Sequence, residues 1–375
     1  MRILSYESHS GTAGDLHFAR IEFGKLNLIV GDTGTGKTRL LNTIFNGAKL
    51  AVRKGEFYRG SWDMTFEHDE KRYRWYIETG VDEGEDARVI NERILRIQDG
   101  QEKVIVERDT DSFVFDGKEL PKLEPRESSI SLLQEEDLIK PMYEGLSAIM
   151  RRNFSGPDLT KEALSQVVPQ KLLRKIQRTE DFNKLFSSGL NLSGKLYILS
   201  LHFESIYKQI CSQFMSIFPF VTQVKVLDAE HFGVESAGIV PVFALKEKHS
   251  DDWIPVTEFS AGMRKVLLIL TDIFTLPVDG GVYLLDEYEN SLGINAINFF
   301  PSVLFEVDSP SQFILTSHHP YIIGNVPVKN WIVFHRKGAN VLVKQGKELQ
   351  NRFSKSKQQA FIQLINDPFY TEGVE

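Results

Sequence analysis

The sequence has little cysteine and no long apolar run. Cys211 is its single cysteine, so no internal disulfide and no cysteine-rich zinc site can form, which favours a reducing cytosol. The longest stretch without a charged residue, 309–328, contains three prolines and several polar residues, so it predicts no membrane span. The first ten residues include charged ones and lack an apolar core, so they predict no signal peptide. We therefore expect a cytoplasmic protein that does not contact a membrane.

The chain is moderately acidic. Its 44 Lys and Arg residues are outnumbered by 51 Asp and Glu residues, which gives a net charge of −7 at pH 7. This balance argues against a protein that coats nucleic acid over its whole surface, although it allows a local basic patch. With 42% hydrophobic and 25% charged residues, the 375-residue chain has the composition of a folded globular protein and the length of two or three domains.

The strongest motif is the glycine-rich segment GDTGTGKT, which fits the phosphate-binding pattern G-x-x-x-x-G-K-[ST]. The apolar run 26–30 before it predicts a buried strand, and the pattern after it predicts a helix. The residues predicted to surround the phosphates are Gly31, Asp32, Thr33, Gly34, Thr35, Gly36, Lys37 and Thr38. Lys37 is predicted to reach the β- and γ-phosphates, and the Thr38 hydroxyl is predicted to bind Mg²⁺.

A second motif follows the apolar run 282–285, which predicts another buried strand. Asp286 and Glu287 come directly after it, at the edge where α/β sheets bind ligands. We expect Asp286 to hold Mg²⁺ and Glu287 to act as the general base toward water. Without the phosphate loop, the same pair would be equally typical of a polar strand end.

Two further segments lie on either side of this pair. In the segment FSAGMRK, Ser260 is predicted to cap a helix, and Gly262 would let a backbone approach closely. In the segment ILTSHHP, a predicted strand is followed by His318, whose neutral imidazole could donate a hydrogen bond to a phosphate.

Together the four segments resemble the ABC ATPase superfamily, whose signature reads LSGGQ or LSxGxR and whose histidine segment reads T-[TS]-H-S-P. The resemblance implies ATP as the ligand and His318 as the γ-phosphate sensor. It also implies that Ser260 and Gly262 of one subunit contact ATP held by another. Gln134 is a candidate for the Q-loop glutamine, with a surface glutamine of no special role as the alternative. The segment 289–293 lies where the family has its D-loop, but Gly293 replaces the histidine of many relatives.

A long insertion separates Lys37 from Ser260, and in this respect the chain resembles the SMC, RecF and OLD group of ABC ATPases. The sequences YLLDEYENSL and ILTSHHP resemble the stand-alone ATPases of that group in prokaryotic anti-phage systems, such as PARIS, Septu and retron-associated systems. The resemblance implies a homo-oligomer that sandwiches ATP and regulates a separate effector, a nuclease or a toxin. The alternatives are an ATP-binding scaffold with negligible turnover, a RecF-type DNA-repair ATPase, a transporter motor and a P-loop kinase.

The expected fold is therefore an α/β ABC ATPase head with a P-loop βαβ core, an antiparallel β lobe and a short helical insertion. The predicted boundaries are 1–130 for the N-terminal ATPase lobe, 131–222 for the helical insertion, 223–350 for the C-terminal ATPase lobe and 351–375 for a basic tail. The clearest helical pattern is 191–214, and another helix is expected at 294–305.

A basic stripe is predicted in the insertion. Lys171, Arg174, Lys175 and Arg178 have the spacing of one helix face, which could contact DNA phosphates or an acidic partner. A solvated helix face is the alternative. The sequence Asp109-Thr110-Asp111 resembles a metal-binding DxD pair, but its charged hairpin context predicts a solvated turn.

Overall fold

The computed structural model describes residues 1–10, 15–52, 58–81, 87–153, 165–178, 182–236, 238–293, 295–297, 310–351, 353 and 357–372. The strands are β1 (Arg2–Ser10), β2 (His17–Glu22), β3 (Leu26–Val30), β4 (Gly60–His68), β5 (Lys71–Gly80), β6 (Arg88–Gln98), β7 (Gln101–Arg108), β8 (Phe113–Phe115), β9 (Lys118–Glu119), β10 (Ile149–Asn153), β11 (Val221–Asp228), β12 (Pro241–Glu247), β13 (Ile254–Pro255), β14 (Val282–Asp286), β15 (Gln312–Thr316), β16 (Trp331–Lys337) and β17 (Asn340–Gln345).

The helices are α1 (Lys37–Ala51), α2 (Ser129–Leu132), α3 (Lys140–Ser147), α4 (Gln170–Lys175), α5 (Phe182–Phe186), α6 (Leu192–His202), α7 (Glu204–Ile217), α8 (Ala261–Phe274), α9 (Pro320–Asn325), α10 (Gly346–Leu349), α11 (Lys357–Ile365) and α12 (Pro368–Thr371). Short 3₁₀ helices span Ala229–Phe232, Val256–Glu258 and Val328–Asn330. In the described part of the chain, none of the helices combines the length and the apolar character that crossing a bilayer requires.

The chain divides into two units. The first unit comprises 1–152, 279–287 and 310–375, and the second comprises 153–278 and 288–309. The first unit contains a 14-stranded sheet in the order β10-β14-β15-β3-β16-β17-β2-β1-β4-β5-β6-β7-β8-β9. The strands β14, β15, β3 and β16 run parallel, whereas β1 and β4 to β9 pair antiparallel with their neighbours.

Three of the parallel strands are buried along their whole length. Every residue of β3, β14 and β15 is buried, and this explains their nearly continuous apolar sequences. Leu40, Leu41 and Ile44 of α1 are buried in the same core as Ile29 and Leu284. A rigid parallel sheet therefore supports the loops that follow β3, β14 and β15.

The antiparallel strands show the alternation that the sequence predicts. Trp62, Met64 and Phe66 of β4 are buried, and Met64 and Phe66 lie opposite Trp75 and Tyr73 of β5. Residues at every second position share one face of a strand, so these side chains form one apolar layer. The expected β lobe is thus the antiparallel end of the large sheet rather than a separate sheet.

A buried carboxylate connects this antiparallel region to α2. Glu92 on β6 is fully buried and accepts hydrogen bonds from the Trp75 indole (3.0 Å) and from both the backbone N–H and the hydroxyl of Ser129 (2.7 Å each). Arg108 lies 3.5 Å from the carboxylate and also donates to two backbone carbonyls. Burial raises the pKa of Glu92, and these donors oppose that effect by stabilising the charged form.

The second unit combines helices with the three-stranded sheet β11-β12-β13. The rings of Phe214, Phe243 and Phe259 pack together with centroids 6.1–6.3 Å apart. The single helix predicted for 191–214 is wrong in one respect, because Phe203 is non-helical and separates α6 from α7. Its ring packs against Phe182 at 5.3 Å, a tertiary contact that helical periodicity does not reveal.

The unit boundaries differ from the predicted segments. Residues 131–152 of the expected helical insertion belong to the first unit, where β10 lies beside β14 at the edge of the large sheet. The expected basic tail contains α11 and α12, in which Ala360 and Leu364 are buried. Of the helix expected at 294–305, only 295–297 are described, and they are helical.

Candidate functional site

Three strand ends meet at one edge of the sheet. In the parallel register, Ile29 near the end of β3 lies opposite Thr316 at the end of β15, and Leu315 lies opposite Leu285 of β14. The segments that follow these strands carry the glycine-rich motif, the Asp286–Glu287 pair and His318. Parallel pairing thus brings together residues that are far apart in the sequence.

The glycine-rich loop needs its glycines for steric reasons. Gly36 precedes α1 with φ of +100°, and a Cβ there would lie 2.5 Å from Leu16. A Cβ on Gly31 would lie 2.8 Å from the Thr35 hydroxyl and 3.0 Å from the Phe334 carbonyl. The amino terminus of the 15-residue α1 follows directly and adds the positive end of a helix dipole.

Side chains within the loop hold its shape. The Lys37 ammonium is buried and donates to the carbonyls of Gly31 (2.8 Å) and Asp32 (2.9 Å). The Thr35 hydroxyl also donates to the Asp32 carbonyl (2.8 Å), and the Asp32 carboxylate accepts from the Thr33 N–H (2.7 Å). The curved shape of the loop is therefore held by its own hydrogen bonds.

Asp286 is buried beside the loop and has three neighbouring donors. Its Oδ1 accepts from the hydroxyls of Thr38 (3.0 Å) and Thr316 (2.8 Å). Its Oδ2 lies 3.6 Å from a guanidinium nitrogen of Arg151. The hydroxyl and carboxylate oxygens of Thr38 and Asp286 are the hard ligands that Mg²⁺ prefers, so these two residues fit the metal that the motif implies.

Glu287 has an unusual backbone. Its φ of +43° is rare for a residue other than glycine, and its N–H donates to the Thr316 hydroxyl (2.8 Å). Thr316, which is fully buried, thus bonds to both Asp286 and Glu287. These two hydrogen bonds offset a backbone strain of about 1–3 kcal/mol at Glu287.

Glu287 and His318 face a cavity of about 380 Å³. The Glu287 carboxylate lies 3.5 Å from His318 Nε2, and both side chains are more than one-third exposed. His319 instead accepts a hydrogen bond from the Tyr321 N–H and caps α9. Within the described residues, the cavity is lined by Leu16, Thr33, Gly34, Gly36, Lys37, Thr38, Arg39, Glu287, His318 and Arg336.

Ser260 and Gly262 lie in the second unit. The Ser260 side chain accepts from the Met263 N–H (3.2 Å), so it caps the exposed amino end of α8 as predicted. A Cβ on Gly262 would lie 2.6 Å from the Ser291 carbonyl, and the buried Lys265 donates to the Asn290 carbonyl (2.9 Å). Gly262 therefore permits close packing of the segment 289–293 against α8.

Gln134 does not lie among the residues that line the cavity. It is half-buried in a turn after α2. The strand beside β14 is β10, whose Arg151 lies 3.6 Å from Asp286, and the Q-loop role of Gln134 stays a prediction. The helical pattern expected from 131 concealed this strand and with it Arg151.

The predicted basic stripe is wrong at one position. Lys171, Arg174 and Lys175 are exposed on α4, but this helix ends at Lys175 and Ile176 is buried. Arg178 therefore does not continue the helix face. Asp109 accepts from the backbone N–H groups of Asp111 and Ser112 and forms a solvated turn.

Sequence reasoning assigned no role to Thr316, Arg151 or Arg336. The hydroxyl of Thr316 was detectable in principle, because it lies two residues before His318 in a recognised segment. Arg151 and Arg336 have no local motif, since only strand order places them beside Asp286 and the glycine-rich loop.

The fold and the glycine-rich loop define a P-loop ATPase domain. A family model described as "AAA domain, putative AbiEii toxin, Type IV TA system" matches residues 26–324, and the chain belongs to this family. None of the curated proteins searched matches it.

Solved structures of Smc heads are similar in fold. The Smc head bound to the C-winged helix domain of ScpA has a TM-score of 0.50 and 16% identity, covering 92% of this chain and 98% of that chain. The Smc head with an extended coiled coil, bound to the C-terminal domain of ScpA from Pyrococcus furiosus, has a TM-score of 0.47 and 13% identity, covering 94% and 98%. The SMC head domain from Thermotoga maritima has a TM-score of 0.44 and 12% identity, covering 92% of this chain and 99% of that chain. The predicted α/β ATPase-head fold is confirmed.

Proposed function

We propose that the protein binds ATP with Mg²⁺ at the cavity, hydrolyses it, and uses ATP to assemble with further copies of itself. The observation that carries this proposal is the meeting of Lys37, Thr38, Glu287 and His318 at one cavity, with Asp286 hydrogen-bonded to Thr38 beside it. They come from three separate stretches of sequence, and each has a chemical role in phosphoryl transfer.

The phosphate loop and Lys37 bind the phosphate chain. Thr38 and Asp286 would hold Mg²⁺, which when bound neutralises negative charge on the phosphates. Arg151 places a positive charge beside Asp286, and Thr316 orients the carboxylate. The loop, Lys37, Thr38 and Asp286 would bind and orient the reactants without taking part in proton transfer.

Glu287 accepts the proton of the attacking water. Its carboxylate is accessible from the cavity, and its backbone is held by Thr316. His318, 3.5 Å away, would sense a ligand next to the base and orient the carboxylate. Loss of a general base typically lowers the rate by about 10²- to 10⁴-fold.

Assembly would use the exposed amino end of α8 on a second copy. This 14-residue helix has no acidic residue in its first turn, and Ser260 at its cap is exposed. Such a helix end favours an anion, so Ser260 and Gly262 would contact the γ-phosphate held by the partner's loop. ATP would then favour the associated state, and hydrolysis would release it.

Phosphate release and mass photometry test this proposal together. We expect turnover by the wild type, none by Lys37→Ala, and an ATP-dependent dimer or larger assembly of Glu287→Gln. Equal, negligible release by wild type and Lys37→Ala would favour the scaffold alternative. A monomeric Glu287→Gln protein at saturating ATP would contradict the assembly.

We further propose that the ATPase regulates a separate effector, a nuclease or toxin, in cytoplasmic anti-phage defence. The family description, which includes a type IV toxin–antitoxin system, supports action together with a second gene product. Co-expression with the products of adjacent genes under phage challenge tests this role. Protection should require Lys37, and equal protection by Lys37→Ala would contradict it.

A DNA contact through α4 is a separate part of the proposal. Lys171, Arg174 and Lys175 are exposed and adjacent on a short helix. Replacing all three with Gln should weaken DNA binding and reduce its salt dependence, measured by fluorescence anisotropy. Unchanged binding would exclude this surface.

A further inference from the structure

The strand β16 extends past the end of β3 and runs beside the phosphate loop. Val333 lies opposite Val30, the last residue of β3, so the following residues of β16 are level with the loop. The Phe334 carbonyl confirms this, since it would lie 3.0 Å from a Cβ on Gly31. Because side chains alternate along a strand, Arg336 shares a face with Phe334.

The Arg336 guanidinium lies at the wall of the cavity. It is half-buried, and it donates from Nη1 to the Gly34 carbonyl (3.1 Å) and from Nε to the Gly338 carbonyl (2.7 Å). In the described part of the chain, these bonds use two of its five N–H groups. They fix the plane of the guanidinium and leave donors for a ligand.

The other cations of the cavity wall are engaged differently. Arg39 forms an ion pair with Asp15 at 2.5 Å, and the Lys37 ammonium is buried against loop carbonyls. Among the described residues, the Arg336 guanidinium forms no ion pair with a carboxylate, and its positive charge therefore acts on the cavity. A planar guanidinium matches phosphate oxygens in geometry and charge.

We propose that Arg336 is a nucleotide-binding residue that contacts the phosphate chain from the β16 side, opposite the backbone N–H groups of the loop. This inference rests on the proposed ATP binding and adds to it a phosphate ligand outside the glycine-rich motif. Its hydrogen bond to Gly34 would couple the loop to the bound phosphates.

Displacement of a fluorescent ATP analogue tests the inference, with Mg²⁺–ATP and inorganic tripolyphosphate as competitors. We expect Arg336→Gln to weaken both competitors by about tenfold to a hundredfold, the usual effect of losing a charge-assisted hydrogen bond. Lys337→Gln removes the same charge from the exposed neighbouring position and should change binding less than about twofold. Lys37→Ala serves as the reference for loss of phosphate binding.

The outcomes separate the two proposals. If wild type binds ATP and Lys37→Ala does not, unchanged binding by Arg336→Gln would overturn only the Arg336 inference. A loss for ATP but not for tripolyphosphate would also overturn it, since the contact would then be to the base or ribose. A fall in nucleotide-free Tm of more than about 5 °C with Arg336→Gln would indicate a structural role and overturn it as well. If wild type does not bind ATP, the proposed function itself fails.

Discussion

The parallel and antiparallel regions of the large sheet each bury one carboxylate beside an arginine, and the two clusters differ in what surrounds them. Glu92 in the antiparallel region is fully buried and lies 3.5 Å from Arg108. Asp286 in the parallel region is 7% exposed and lies 3.6 Å from Arg151. Burial and an arginine partner are therefore common to both and do not distinguish a structural from a functional carboxylate.

The donors make the distinction. Glu92 accepts from Trp75 and Ser129, and Arg108 is itself fixed by the Glu124 and Glu127 carbonyls. Every contact in that cluster joins parts of the protein to one another. Among the donors to Asp286 is Thr38, whose side chain also borders the cavity. A ligand in this cavity can therefore replace one of the contacts of Asp286, whereas none of the described contacts of Glu92 involves a residue that lines the same cavity.

The largest effect is expected for Asp286→Asn. Losing the carboxylate charge removes the metal ligand, so turnover should fall about a thousandfold, corresponding to about 4 kcal/mol in the barrier. Stability should fall less than for the Glu92 variant below, because Thr38 and Arg151 are nearer to solvent. Phosphate release and thermal unfolding measure both quantities. Near-normal turnover of Asp286→Asn would contradict a functional role for this carboxylate.

Glu92→Gln should show the opposite pattern. The substitution leaves the Arg108 charge buried without its counter-ion, which destabilises the protein by about 3 kcal/mol and lowers Tm. Turnover per folded molecule should change little. Glu107→Gln, at an exposed position of the adjacent β7, is the matched control and should leave Tm within about 1–2 °C. Equal Tm values for the Glu92 and Glu107 variants would show that the contacts of Glu92 do not stabilise the fold.

Thr316→Val tests the role of the Thr316 hydroxyl in the parallel region. Valine has nearly the same shape but removes both the donor to Asp286 and the acceptor for the Glu287 N–H. We expect kcat to fall about tenfold to a hundredfold, because the activation barrier rises by about 1.5–3 kcal/mol. ATP affinity should change little. The Mg²⁺ concentration needed for half-maximal activity should rise.

Thr316→Ser keeps the hydroxyl and is the control for this variant. It should restore kcat and the Mg²⁺ requirement to within a fewfold of wild type. If the serine variant is as impaired as the valine variant, packing of the methyl group and not hydrogen bonding by the hydroxyl is responsible.

The smallest effect is expected for Arg151→Met. Removing a positive charge 3.6 Å from Asp286 should raise the affinity of the site for a divalent cation by up to about tenfold. Tm without Mg²⁺ should fall slightly, and the gain in Tm on adding Mg²⁺ should exceed that of wild type. Thermal unfolding with and without Mg²⁺ measures the difference. An identical gain in both proteins would mean that Arg151 does not compete with the metal.

The local motifs predicted which segments meet at one edge of the sheet. Gly31 to Thr38, Asp286 and His318 lie in short segments whose strand and loop context is visible in the sequence, and the structure places them at one sheet edge. Ser260 caps its helix as expected, because capping depends on neighbours only three residues away.

Longer-range features were less predictable. The sequence of β10, IMRRN, has neither an apolar run nor a clear alternation, so this strand was hidden within the predicted helical insertion. Gln134 was chosen by its position along the chain, but strand order puts β10 beside Asp286 instead. The end of α4 and the break at Phe203 both follow tertiary burial, of Ile176 and of Phe203 respectively.

The sequence alone determined the chemistry of the phosphate loop, since the glycines, the lysine and the threonine must be consecutive for one turn to hold phosphate. Only the tertiary structure decided which further side chains act on that chemistry. Thr316, Arg151 and Arg336 come from different strands, and hydrogen-bonded strand order, which has no local sequence code, brings them to the loop and to Asp286.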